Sequence, residues 1–291
     1  MRPDFTVLKR RIFLSIAGAF PLASMAQSWA WDDGTTPYVQ SPMEVVERML
    51  ALAQPKPGEF LVDLGSGDGR IVIGAAKRGA RALGVDLDPR LVRLGEENAR
   101  RAGVANLASF QVKDFFELDF AAADIVSAYL LPEVNLKLRP KLLAMKPGTR
   151  IVTHDYDMGD WPYDEMIDLP VAEKLVGPLG HSKIYLYIVP AKAAGTWQSD
   201  VPAHGGRWQF EIRQTYQVLD VQARAGVNEQ QVRGARLRGE EIRLVMTGIV
   251  AGKPWTDAFR GTVKGERIEG EVVATNGEDR RTLPWTASRI R

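Results

Sequence analysis

The stretch Phe60-Leu61-Val62-Asp63-Leu64-Gly65-Ser66-Gly67-Asp68-Gly69-Arg70 limits what this chain can become more than any other. It opens as an apolar run long enough for a strand buried on both faces. It then places three glycines at alternate positions, and a helical pattern starts at Ile71. A strand that breaks into a glycine-rich turn and feeds a helix brings backbone close to a nucleotide-like ligand. The spacing narrows the choice. A dinucleotide fold uses G-x-G-x-x-G and sets a pyrophosphate over the helix N-terminus. Here the order is Asp63-x-Gly65-x-Gly67-x-Gly69, with Asp68 as a second acid inside the turn. Two carboxylates would repel a pyrophosphate. They suit a ligand with a cationic end, such as the amino group of a methionine moiety.

The 291 residues have room for one large domain or two medium ones, and 45% hydrophobic with 25% charged residues is ordinary for a globular chain. A net charge of +2 gives no strong field for nucleic acid. There is no cysteine, so disulfide frameworks, thiolate zinc sites and cysteine nucleophiles are excluded. With three histidines, His154, His181 and His204, a multi-histidine metal centre is not expected. The first residues read as a targeting signal. Lys9-Arg10-Arg11 precedes an apolar run from Ile12 to Ala23, then Ser24-Met25-Ala26. The run is short for a bilayer span and contains Pro21. Arg10-Arg11-Ile12-Phe13-Leu14 is similar to the twin-arginine export signal. The expectation is a signal over residues 1–26 and an exported, periplasmic protein. A retained amphipathic helix is the competing reading. Export leaves the supply of a cytoplasmic cofactor open, unless the folded protein carries it across.

Beyond the lead, Ser41-Pro42-Met43-Glu44 reads as a capped helix start that places an apolar face from Val45 to Leu52. Tyr38, just before it, is equally readable as a ligand contact or a packing ring. The stretch Ala80 to Asp86 reads as a second strand ending in an acid about 20 residues past the first glycine, where this fold class places a carboxylate for ribose hydroxyls. Asp88-Pro89 opens the next helix, which ends before Gly103. Ala108 to Val112 and Ala123 to Tyr129 give two more strands, and Pro132 starts a helix running to Met145. A fifth strand, Arg150 to Thr153, leads into His154-Asp155-Tyr156-Asp157-Met158-Gly159-Asp160-Trp161. That loop leaves the rim where substrate meets cofactor in open α/β sheets, and it can hold an acceptor through Asp155, Asp157 and Trp161. His154 is readable either as a base or as a hydrogen-bonded structural residue. Val171 to Leu175 and Lys183 to Val189 are expected to form an antiparallel hairpin at the sheet edge.

The texture changes after the linker-like segment Pro190 to Gly195. Helical periodicity disappears, and seven short alternating strands recur between Trp208 and Ser288, punctuated by glycines. This pattern predicts a barrel or sandwich. Gly195-Thr196-Trp197 loosely resembles the opening of lipocalin-like barrels. The expected organisation is therefore 1–26 signal, 27–192 α/β domain and 193–291 all-β domain.

The motif Asp63-x-Gly65-x-Gly67-x-Gly69, followed by Asp86 and Asp114 in strand-end order, resembles that of class I S-adenosylmethionine (SAM)-dependent methyltransferases over roughly Tyr38 to Ala191. Within that group, Leu61 to Ile73 and Ala75-Ala76-Lys77 are similar to the protein-lysine methyltransferases that act on mitochondrial proteins such as the ATP synthase c subunit. The resemblance implies a Rossmann-like seven-stranded sheet, SAM as cofactor and a protein lysine among the acceptors to be considered. It implies cofactor contacts from Asp63, Gly65, Ser66, Gly67, Asp68, Asp86, Leu87, Asp114 and Phe115. Asp114 would accept from the adenine amino group, and Phe115 would pack on the ring. Tyr129 and Pro132 form a loose version of the proline-aromatic motif of amino-methylating enzymes, so Tyr129, Pro132 and Asp155 are the expected catalytic residues. A rival reading is an exported, non-catalytic nucleotide-binding module that recognises a partner through its β domain. The intact acids argue against it. An NAD-dependent oxidoreductase is a third reading, opposed by the glycine spacing.

Overall fold

The computed structural model describes residues 38–290 except 173, 175–179, 202–205, 227 and 251. The N-terminal segment expected to be an export signal lies outside the described residues, as do His204 and Leu175. Among the described residues no helix is long and apolar enough to cross a membrane.

The first layer alternates helices and strands. Helix α1 (Met43–Ala53) precedes β1 (Phe60–Leu64), α2 (Arg70–Ala76), β2 (Arg81–Asp86), α3 (Pro89–Arg101), β3 (Ala108–Val112), β4 (Ile125–Ala128), α4 (Pro132–Leu143) and β5 (Arg150–His154). The hairpin β6 (Glu165–Pro170) and β7 (His181–Ile188) completes a seven-stranded sheet of order β3-β2-β1-β4-β5-β7-β6. The first five strands are parallel, and β7 and β6 are antiparallel additions. Strand β1 is buried on both faces because each face has its own cover. Leu61 packs with Val45, Leu50 and Val72 on the side of α1 and α2, while Val62 and Leu64 pack with Leu138 and Leu142 of α4. An uninterrupted apolar run is what such a position needs.

Three local expectations are corrected. Ser41 does not cap α1: Pro42 holds the capping position, and the Ser41 hydroxyl bonds His154 Nδ1 at 2.9 Å. The edge strand β6 lies before Val171, which instead is buried and donates its N–H to Gly180. The supposed linker is not free chain: Ala191 and Ala193 are buried, and Gln214 binds Ala193 N and Ala191 O through its side chain.

The rest is an eight-stranded barrel. Strands β8 (Gly195–Asp200), β9 (Arg207–Thr215), β10 (Val218–Ala225), β11 (Asn228–Arg238), β12 (Glu241–Val250), β13 (Lys253–Lys264), β14 (Arg267–Thr275) and β15 (Arg280–Ile290) pair in sequence, and β15 returns to β8. Closure removes the exposed edges that an open sheet would have. Alternate residues point inward, as in Trp208, Phe210 and Ile212 of β9. Phe210, Phe259 and Trp285 meet edge-on at the centre, with ring centroids 4.9 to 6.4 Å apart. The barrel joins the first layer through Trp161. Its ring is fully buried, packs on Tyr187 and Tyr216, and donates from Nε1 to Gln217 Oε1 at 3.1 Å. Trp161 is therefore a joint between the layers and not part of an acceptor site.

Candidate active site

The turn after β1 is tied to β2. Gly65 and Ser66 both donate their N–H to the Val85 carbonyl at 2.9 Å, and Gly69 closes the turn on Ser66 O. Gly67 has a φ of +53°, and a Cβ there would lie 2.5 Å from the Tyr38 ring. The ring thus covers the turn and requires a bare backbone under it. Gly69 also has a positive φ, +82°, and its missing Cβ makes room for Phe110, which would be 2.6 Å away. Asp86 ends β2 with Oδ2 accepting from Gly67 N and Oδ1 from Asp88 N, both at 3.0 Å. Each oxygen keeps a lone pair for another donor. Asp114 follows β3, half-buried, and accepts from Phe116 N at 2.8 Å. Phe115 beside it is half-buried against the core cluster that contains Val62 and Val85. Leu87 is exposed next to Asp86.

Asp63 is buried and accepts from the Ser127 hydroxyl at 2.7 Å. Burial pushes its carboxyl up to about 7, Ser127 opposes that, and the charges of Asp86 and Asp68 add to it. Asp68 differs from the sequence expectation. Arg70 grips both of its oxygens, at 2.9 and 2.6 Å, so its charge is already matched. The Ser66 hydroxyl is buried close against Gly84 and turned from the surface.

Asp63, Asp86 and Asp114 thus stand at the C-terminal ends of β1, β2 and β3, three neighbours in the sheet. All three offer acceptor oxygens. SAM fits this set, because it carries an ammonium and a sulfonium, ribose hydroxyls and an adenine amino group along one length. A pyrophosphate does not fit, since Arg70, the cation of the turn, is paired with Asp68.

A second cluster lies on the same rim, across β4 and β5. Tyr129 follows β4, and its hydroxyl lies 2.9 Å from Asp155 Oδ2. Asp155 follows β5 with a φ of +63°, held by Asp155 N donating to Lys183 O at 2.6 Å. Its Oδ1 receives the Lys174 ammonium and Lys183 N. Burial and then the Asp155 charge raise the Tyr129 hydroxyl far above the ordinary phenol range, so it stays protonated. The Tyr129 ring lies 4.0 Å from the His154 ring and 6.4 Å from Tyr156. His154 is structural: its two nitrogens meet Ser41 and Ser182 hydroxyls at 2.9 Å, and burial holds its pKa down to about 4. Pro132 is not part of this cluster. It sits at the first position of α4 and is exposed. Asp157 is exposed, and its Oδ1 accepts from Gly159 N at 2.9 Å in a local turn.

Sequence reasoning missed Ser127, which is an unremarkable residue within an apolar strand, and Lys174, which no motif marks. It also missed Asn135, buried in the first turns of α4, whose amide holds the carbonyls of Tyr156 and Asp157 at 3.2 Å.

A sheet of this order, with acids at the ends of its first three strands and an Asp-x-Gly-x-Gly turn, defines a class I SAM-dependent methyltransferase. Comparison with known proteins refines the class. The ANTKMT methyltransferase domain matches residues 63–165. A protein-lysine N-methyltransferase of Saccharolobus islandicus is 38% identical over 156 residues, which are 53% of this chain and 93% of that protein. The adenine nucleotide translocase lysine N-methyltransferase of Mus musculus is 39% identical over 127 residues, which are 43% of this chain and 55% of the mouse protein. An RNA methyltransferase from Salinibacter ruber, solved with S-adenosyl-L-homocysteine, is 45% identical, with a TM-score of 0.48 over 53% of this chain and 95% of that one. The chain belongs to this family of SAM-dependent methyltransferases.

Proposed function

We propose that this chain moves the methyl group of SAM to the side-chain amine of a protein lysine. The observation that carries the reading is the composition of the rim beyond β4 and β5. There the rings of Tyr129 and Tyr156 stand near the exposed carboxylate of Glu133, while Asp155 beneath them is already paired with Lys174. Aromatic faces and acids together favour a cationic side chain. The names of the relatives at 38% and 39% identity agree with it.

When bound, SAM supplies an already activated sulfonium methyl group, so no enzyme nucleophile is needed. The protein's part is proximity and orientation. Asp63, Gly65, Gly67, Asp86, Leu87, Asp114 and Phe115 would hold the cofactor, with Tyr38 over the turn. Tyr129 would receive the acceptor nitrogen, with Asp155 behind it holding the phenol through Oδ2. Pro132 contributes by fixing where α4 begins. The test is incubation of the purified protein with methyl-labelled SAM and a lysine-rich protein mixture, followed by peptide mass spectrometry. Methyl-lysine is the expected product. Label found only on RNA, or on another side chain, would replace this reading.

We further infer that Arg10-Arg11 and the apolar run after it direct export. Cell fractionation of the full chain beside an Arg10→Lys, Arg11→Lys variant tests this. Equal distribution of both proteins would overturn it.

A further inference from the structure

We propose that Lys174 is a positioning residue of the transfer site. Acting through Asp155, it fixes the Tyr129 hydroxyl as a hydrogen-bond donor, so the Tyr129 oxygen meets the acceptor amine only with its lone pair. This rests on the amine reading above.

The Lys174 and Asp155 side chains are 4% and 0% exposed. Nζ of Lys174 donates to Asp155 Oδ1 and, at 2.6 Å, to the His181 carbonyl. An ammonium has no lone pair, and Lys183 N–H also donates to Oδ1. With two donors on Oδ1, the Asp155 carboxylate is arranged as an acceptor. The 2.9 Å bond at Oδ2 must then use the phenol's single proton. His154 does not compete for Asp155, since its nitrogens meet Ser41 and Ser182 and its nearest approach to the carboxylate is 3.5 Å. Its ring, 4.0 Å from that of Tyr129, also limits the phenol's swing. The order across the sheet gives the direction. Moving from the cofactor turn after β1, Tyr129 comes after β4, Asp155 after β5, and Lys174 at the β7 side. The ammonium is thus the far end of a relay and the phenol oxygen its near end.

The consequence is chemical. A phenol free to donate would bind the amine's lone pair and block the nucleophile. A phenol whose proton is committed takes an N–H from the amine and leaves that lone pair free. The left-handed backbone at Asp155 is unfavourable for a non-glycine residue.

The experiment uses the full chain with four substitutions. Asp155→Asn can turn an amide N–H toward the Tyr129 oxygen and reverse the bond. Lys174→Met removes the charge, Lys174→Arg keeps it, and Tyr129→Phe removes the oxygen. Expected are kcat values about 10- to 100-fold lower for Asp155→Asn, Lys174→Met and Tyr129→Phe. KM for SAM should stay within about twofold, and Lys174→Arg should recover most of the rate. A second readout needs no acceptor: the carboxyl ¹³C shift of Asp155 in labelled protein. It should move between the wild type and Lys174→Met, because the substitution removes the ammonium donor from Oδ1, and should stay near the wild-type position in Lys174→Arg. Wild-type kcat in folded Lys174→Met or Tyr129→Phe, or a protonated Asp155 in the wild type, overturns the proposal. If the wild type fails to methylate lysine while the carboxyl shifts behave as stated, the acceptor reading has failed and the relay has not.

Discussion

Asp63 is a carboxyl group closed off from water and surrounded by more negative charge than positive. Its folded pKa of about 7 stands above the unfolded value of 3.8. Stability from this group is therefore fully present below about pH 4 and is lost as pH rises through 7. A cation placed at the turn favours the ionised form and reverses that balance. SAM binding near pH 7 is expected to release a proton, visible in calorimetry as a binding heat that varies with the ionisation heat of the buffer. Asp63→Asn should abolish that dependence and raise the melting temperature of the ligand-free protein at pH 8. Gly67→Ala tests the turn itself. Its φ of +53° costs an alanine about 1–2 kcal/mol, and the new Cβ meets Tyr38. SAM affinity should fall about tenfold, and a Tyr38→Ala change should restore part of it by removing the clash. The acids at strand ends are legible in the sequence because their spacing follows from the fold. The Asp68–Arg70 pair escapes a motif-led reading although two-residue spacing carries it. Lys174 could not be read, because it reaches Asp155 only once β7 has paired with β5.

At the scale of elements, the bond from Ser41 to His154 and on to Ser182 ties the lead of α1 to β5 and β7. His154 has a folded pKa of about 4 against 6.5 unfolded. Its contribution is present above pH 6.5 and is lost as pH falls toward 4, on the order of 3 kcal/mol in all. Thermal melts between pH 7 and 4 should show this loss, and a His154→Gln variant should show a flatter profile. The parallel strands are legible as short apolar runs, and α3 is legible because Asp88-Pro89 marks its start and its apolar face is regular. Two strands escape the sequence for physical reasons. In β8 the inward positions are Trp197 and Ser199, and the buried serine hydroxyl accepts from Trp285 Nε1 at 2.9 Å and donates to Thr286 O at 2.7 Å. Its sequence has too little apolar alternation to declare itself. In β6 one side of the strand is a sheet edge with mixed burial, so the more apolar Val171 draws the expected strand toward itself.

At the scale of the whole molecule, the barrel and the sheet meet around Trp161 and again where Gly239 lies against Gly148. Trp161, Tyr187 and Gln217 are buried in the first joint, and ion pairs from Arg236 to Asp164 and Arg238 to Glu165 flank it. Trp161→Ala should cost about 3–5 kcal/mol, from the lost ring and the cavity left behind. If the joint couples the two layers, near-ultraviolet dichroism and a barrel tryptophan's fluorescence should report a single, lowered transition. The sequence shows a β domain here but not its attachment, because Trp161 and Gln217 are 56 positions apart and neither sits in a motif. The central claim, that the rim of the first layer is a SAM site, is tested most directly by titrating SAM into the full chain by calorimetry, beside an Asp86→Ala variant. Saturable binding by the wild type that is lost in the variant is expected. A well-folded wild type that gives no heat with SAM, or that binds NADH instead, would contradict it.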